Sequence, residues 1–114
     1  MRIVFATSEA NPYIKSGGLA DVLGSLPKAL VQKGHECIVV LPKYQDMKLA
    51  DTLEYVTNYD IWVGWRKCYC GVFKAEYDGV TYYFIDNEQY FRRPGLYGYD
   101  DDNERFAYFD FAVL

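Results

Sequence analysis

At 114 residues the chain has room for one domain and excludes a second complete one. Hydrophobic residues make up 51% and charged residues 25%, the balance of a globular protein able to bury a core. The formal net charge of −4, with no Lys/Arg cluster, removes the electrostatic footprint of a nucleic-acid binder.

The opening run Ile3-Val4-Phe5-Ala6 is too short for a signal-peptide core and soon meets Glu9. No stretch approaches a membrane span, so a cytoplasmic protein is expected. Cys37, Cys68 and Cys70 are odd in number and match neither a disulfide framework nor a common zinc spacing. They read as small apolar residues.

Arg2 to Thr7 is a nearly continuous apolar run, the pattern of a strand buried on both faces. A polar loop from Ser8 to Ser16 follows, holding Pro12 and Lys15. Gly17-Gly18 then opens a helical pattern in which Leu19, Val22, Leu23, Leu26 and Leu30 form one apolar stripe. Pro27 removes a helical hydrogen bond and predicts a kink near Gly24-Ser25. Gly34 ends the helix, with Lys33 beside it. Cys37 to Leu41 is a second β-branched run, closed by Pro42. Strand, helix and strand in this order are a βαβ unit and imply a parallel sheet.

The middle of the chain changes character. Tyr59–Trp65, Tyr69–Tyr77 and Val80–Ile85 read as three strands, the last two joined by the hairpin signal Asp78-Gly79. They form an antiparallel extension of the parallel sheet. A loop rich in Tyr, Arg, Pro and Gly runs from Asp86 to Tyr99. The acidic run Asp100-Asp101-Asp102-Asn103-Glu104 then leads into a last helix reaching Leu114, with Asp101 and Glu104 at capping-box spacing. Phe106, Ala107, Phe109, Phe111, Ala112, Val113 and Leu114 make this helix apolar on most faces, so further protein is expected to bury it. No repeat, linker or low-complexity stretch interrupts the chain. One incomplete domain is expected, with self-association through the uncovered helix.

Chemistry concentrates in Thr7 to Val22, TSEANPYIKSGGLADV. Glycines at a helix start let a ligand approach the backbone, and the unpaired first amides attract a phosphate. Lys15 adds a positive charge at the same mouth, beyond the carboxyl end of the first strand. The same residues also suit an ordinary turn with a solvated lysine. Neither G-x-G-x-x-G nor G-x-x-x-x-G-K-[ST] is present, and Leu41-Pro42-Lys43 lacks the acid that would hold an adenosine ribose, so a nicotinamide site is excluded. A helix cap accounts for the acids at 100–104 without a metal. His35, the only histidine, follows a helix-ending glycine and reads as structural.

At these residues the chain resembles the bacterial glycogen synthases and plant starch synthases. Their N-terminal signature Lys-x-Gly-Gly-Leu-x-Asp-Val is matched by Lys15, Gly17, Gly18, Leu19, Asp21 and Val22. Ser8-Glu9-Ala10, Pro12, Leu26-Pro27-Lys28-Ala29-Leu30, Gly34-His35, Leu41-Pro42 and Tyr44 continue the likeness. So do Tyr90-Phe91-x-Arg93, Gly95-Leu96-Tyr97-Gly98 and Asp102-Asn103-Glu104-Arg105-Phe106. Arg92 departs from the pattern, an acid being more usual there.

The resemblance implies an α/β chain that is an incomplete Rossmann-like N-terminal domain, one half of the two-domain GT-B arrangement around a cleft. It implies a retaining glucosyltransferase that passes glucose from ADP-glucose to the non-reducing end of an α-1,4-glucan, with no cofactor. Lys15 would neutralise charge on the leaving ADP, and Gly17 and Gly18 would bring backbone amides to the diphosphate. Asp21 would order the loop or meet an acceptor hydroxyl, or serve only as a first-turn acid on the helix dipole. The nucleotide base is left to the second domain, so UDP-glucose stays open as donor. A stand-alone glucan-binding module using the tyrosine-rich loops is the alternative from another class, and the uncovered last helix counts against it.

Overall fold

The computed structural model describes residues 1–45, 47–49, 52–63, 66–91 and 96–113. Gly64 and Trp65 at the end of the expected strand Tyr59–Trp65, Arg92, Arg93 and Gly95 of the signature blocks, and Leu114 lie outside the described residues. The expected βαβ unit is present as β1 (Arg2–Ala6), α1 (Gly18–Gln32) and β2 (Glu36–Pro42), with β1 and β2 parallel. β5 (Val80–Asp86) joins the free side of β2, again parallel. β4 (Arg66–Tyr77) and β3 (Glu54–Val63) extend the sheet antiparallel, giving the order β1-β2-β5-β4-β3. The fold class read from the sequence is therefore the one observed. The short α2 (Glu88–Phe91) and α3 (Asp102–Val113) complete the chain.

Local signals account for the boundaries. Asp78 and Gly79 have φ of 51° and 80°, the paired positive values a two-residue hairpin needs to match strand twist. At the end of α1 Gly34 takes φ 91°, and the amides of Gly34 and His35 return to the Val31 and Leu30 carbonyls at 3.0 and 3.1 Å. β3 begins five residues before the expected Tyr59, since Glu54 and Tyr55 already pair with Lys74 and Phe73 of β4. Its polar Glu54, Thr57 and Asn58 hide that start from a periodicity reading.

Alternation along β5 sends Val80, Tyr82 and Phe84 to one face. There Tyr13, from the loop after β1, meets Tyr82 and Phe84 edge-on with ring centroids 4.9 Å apart in both cases. The other face carries Val72 and Ile85, paired across β4 and β5, together with buried Cys68 and Cys70. α3 is pinned against β3 and β4 by two tyrosines. Tyr108 donates to the Tyr69 carbonyl and Tyr59 to the Ala112 carbonyl, each at 2.7 Å. All three cysteines are buried and none is in a disulfide, as expected of small apolar residues.

Three expectations about exposure need correction. β1 is an edge strand and Val4 is half-exposed, so this strand is not buried on both faces. Of the predicted α1 stripe only Leu23 is buried; the inward face is Ala20, Leu23 and Pro27, while Leu19, Val22 and Leu26 remain 45%, 51% and 42% exposed. α1 carries apolar residues around a wide arc, and the sheet covers only one side of it. On α3 the reverse holds: Tyr108, Phe109 and Ala112 are buried, and Phe106 and Val113 are packed against the core. Among the described residues, the uncovered apolar face belongs to α1 rather than α3. α1 runs as one continuous helix from Gly18 to Gln32 with Pro27 inside it.

Two close contacts hold the loops that build the site. A Cβ built on Gly24 would lie 2.8 Å from Asn11 Cβ. Gly24→Ala is therefore expected to cost about 1–3 kcal/mol through overpacking, more than the up to about 1 kcal/mol that alanine gains in a helix. The shift in denaturant midpoint measures it; an unchanged or higher midpoint would mean the loop yields. The second is Arg105 on α3, fully buried, whose Nε donates to the Tyr90 carbonyl at 2.6 Å. Its Nη1 donates to the Leu96 carbonyl at 3.0 Å and to Asp102 Oδ1 at 2.8 Å. This guanidinium thus holds both ends of the segment between α2 and α3, from which Tyr97 projects.

Candidate functional site

Thr7 leaves β1 with its amide on the Val40 carbonyl at 2.9 Å, so the next loop starts at the carboxyl edge of the parallel strands. The loop folds around one carboxylate. Glu9 is 3% exposed, and its Oε2 accepts the Ser16 amide at 3.0 Å and the Ser16 hydroxyl as well. A buried acid needs such partners to offset its lost hydration. Tyr97 arrives from the far end of the sequence, its hydroxyl 2.6 Å from Ser8 Oγ and 3.5 Å from Glu9 Oε2. Burial pushes the Tyr97 hydroxyl above its ordinary pKa, so it stays protonated at neutral pH. Both ends of the loop are thereby fixed, with Lys15 next to the anchored Ser16.

Gly17 is the N-cap of α1, and among the described residues no side-chain cap hydrogen bond is made at this helix start. Its φ of −166° is extended backbone open to any residue, and a Cβ on Gly17 or Gly18 would meet nothing within 4 Å. Neither strain nor crowding among the described residues calls for glycine at these positions. What the missing side chains leave is free space in front of unpaired amides at the positive end of a helix dipole.

Lys15 and Asp21, read from the sequence as separate candidates, are one unit. Lys15 Nζ lies 2.8 and 2.9 Å from the two carboxylate oxygens of Asp21, and Asn11 Nδ2 lies 2.6 Å from Oδ1. The Lys15 hydrogen bond, ahead of the opposing effect of burial, holds the Asp21 carboxyl below its ordinary 3.8. Asp21 is therefore ionised at neutral pH, and the pair is lost in acid as the pH falls through that lowered value. Lys15 and Asp21 side chains are 51% and 55% exposed, so water screens the attraction and the pair opens easily to a competing anion. A cavity of about 490 Å³ adjoins the loop, its lining including Asn11, Tyr13, Lys15, Lys48 and Tyr97.

The other sequence candidates lie elsewhere or serve the fold. His35 stands beyond the C-terminal end of α1, away from Gly17. Asp102 accepts the Gly98 and Tyr99 amides at 2.8 and 3.2 Å, and Glu104 accepts the Tyr90 hydroxyl at 2.7 Å. Among the described residues no group of three His, Cys, Asp or Glu side chains could hold a metal ion. Nor is any described helix long and apolar enough to cross a membrane.

Residues 2–114 match the family model of the starch synthase catalytic domain. The chain belongs to that family. Within the starch synthase family, glycogen synthases from Clostridium botulinum (strain Eklund 17B / Type B) and Desulforamulus reducens are 55% and 51% identical to it over 116 residues. Each alignment takes in 100% of this chain but 24% of the relative, so the chain spans under a quarter of their length. The catalytic domain of starch synthase IV from Arabidopsis thaliana, bound to ADP and acarbose, superposes with a TM-score of 0.88 at 32% identity. That match covers 96% of this chain and 24% of the plant chain. In this synthase-family chain Glu9, Asn11 and Tyr97 join the signature residues in space. Glu9 and Tyr97 stand in blocks that the sequence already shares with the family, but without a role there, and Asn11 lies in none of those blocks.

Proposed function

We propose that this chain is the N-terminal part of the catalytic domain of a retaining glucosyltransferase, and that the whole enzyme transfers glucose from ADP-glucose to the non-reducing end of an α-1,4-glucan. The observation that carries the reading is the seat at the start of α1. Lys15 stands beside uncapped amides, and Gly17 and Gly18 keep the approach to them clear. The family match and the ADP-bound structural relative support the same reading.

When the bond between the anomeric carbon and the diphosphate breaks, negative charge collects on the departing phosphate. Lys15 and the Gly17–Gly18 backbone are assigned to that charge, where fixed donors act more strongly than water does. Lys15 must leave Asp21 to reach it, and its half-exposed ion pair offers little resistance. The freed Asp21 carboxylate is then an acceptor for a sugar hydroxyl. Base recognition and the remaining charged groups around glucose are assigned to the part of the enzyme beyond this chain.

The test is transfer of labelled glucose from ADP-glucose to glycogen by the full-length protein, followed by β-amylase digestion of the product. Label released as maltose is expected. Incorporation that needs UDP-glucose would overturn the donor, and no incorporation from either would overturn the activity. The isolated chain, with one wall of the seat, is expected to show no turnover. Gly18→Ala separates binding from folding. Alanine at this helical position is expected to leave stability unchanged or raise it by about 0.5–1 kcal/mol, while the KM for ADP-glucose rises because a methyl fills the approach. A KM unchanged by Gly18→Ala would remove the close-approach role.

A further inference from the structure

The Asp21 carboxylate has two partners, both on the loop after β1. Lys15 and Asn11 donate to the same Oδ1, Asn11 at 2.6 Å against 2.8 Å for Lys15. Asn11 is itself firmly seated. Its backbone amide donates to the Ala20 carbonyl at 3.1 Å, and its Cβ occupies the gap left by the missing side chain of Gly24. Backbone, Cβ and side-chain amide thus engage three points of α1: Ala20, Gly24 and Asp21. The signature residues leave position 11 open, so no motif accounts for an asparagine there.

We propose that Asn11 is a positioning residue of the donor site, which keeps the Asp21 carboxylate in place when the donor diphosphate draws Lys15 away. This rests on the donor-site reading above. A half-exposed carboxylate anchored by Lys15 alone would be free to turn into solvent once the ammonium left it. A neutral amide on a short side chain neither follows the lysine nor carries a charge for the diphosphate to capture. Asn11 therefore lets Lys15 change partners while Asp21 stays pointed at the seat. Gly24 is the structural condition for this brace, because any larger residue at that position forces Asn11 off the helix.

The test is a double-mutant cycle on the full-length enzyme, with ADP-glucose as the varied substrate. Asn11→Ala keeps the Cβ over Gly24 and the backbone bond to Ala20, and deletes the side-chain amide alone. It is expected to lower kcat about tenfold, the size of one hydrogen bond to a charged group, with KM changed by less than about twofold. In an Asp21→Ala background the same change is expected to cost less than about twofold, the limit of independent behaviour. A tenfold loss that persists without Asp21 would overturn the proposal, as would a wild-type kcat for Asn11→Ala. Lys15→Ala run in parallel separates the two levels. If Lys15→Ala is crippled and Asn11→Ala is not, the brace alone falls; if Lys15→Ala is unaffected, the donor-site reading falls and the brace with it. Should Asn11→Ala fold poorly, the isosteric Asn11→Asp supplies the same cycle, with a larger expected loss because two carboxylates then face each other.

Discussion

Arg105→Met is expected to lower the unfolding free energy by about 3–5 kcal/mol, as losing several hydrogen bonds made by one buried charged group does. Methionine matches much of the stem volume, so the loss isolates the polar work of the guanidinium. Arg105 is fully buried and supplies donors to the Tyr90 and Leu96 carbonyls and to Asp102. Its guanidinium also lies over the rings of Tyr99 and Phe91, at 4.9 and 5.7 Å from their centroids. Removing it deletes a charge-assisted hydrogen bond to each of two carbonyls, at about 1.5–3 kcal/mol each, and strips these rings of a cation. Arg105→Lys is expected to lose an intermediate amount, since one ammonium cannot copy the spread of a planar fork. Urea unfolding of the full-length protein measures both, and a loss below about 1 kcal/mol for Arg105→Met would show that the segment holds without the arginine.

The pH dependence of that loss has a definite sign. Burial raises the Asp102 pKa, but the Gly98 amide, Arg105 and the Tyr99 amide outweigh it and hold the carboxyl below its ordinary 3.8. A lowered carboxyl contributes stability above the unfolded value and loses it as the pH falls through the folded one. The gap between wild type and Arg105→Met is therefore expected to be full at neutral pH and to narrow below about 3.8. A gap that widens in acid would exclude Asp102 as the partner that matters.

Lys15→Ala is expected to lower kcat for glucose transfer about 10²- to 10³-fold, the cost of losing one positioned donor to transition-state charge. Its effect on stability is expected to be negligible, because the lost pair with Asp21 is half-exposed. The two measurements together discriminate a functional lysine from a loop staple. A staple would lower the unfolding midpoint in step with activity, whereas a charge aimed at the diphosphate leaves the midpoint alone. Lys15→Ala with wild-type kcat would remove Lys15 from the chemistry.

Much of the architecture was legible from the amino-acid order, and the reason is locality. The βαβ unit follows from apolar periods of two and of three to four residues, the hairpin from Asp78-Gly79, and the end of α1 from Gly34. Each signal is a dihedral preference or a spacing, and each acts within a few residues of itself. Lys15, Gly17, Gly18 and Asp21 stood out for the same reason, as a short motif at a strand–helix junction.

Other features arose when distant segments met. Ser8 and Tyr97 bond across 89 positions, and Glu9 becomes a buried loop anchor only where Ser16 and Tyr97 close over it. That Lys15 sits on Asp21, and Asn11 over Gly24, depends on the path of the loop across α1. Burial was misjudged on β1, α1 and α3 because apolar character shows that a face can be covered, while the neighbouring elements determine whether it is. Composition and spacing fix backbone preference residue by residue; contact and exposure belong to pairs of surfaces, and such pairs exist only once the chain has packed.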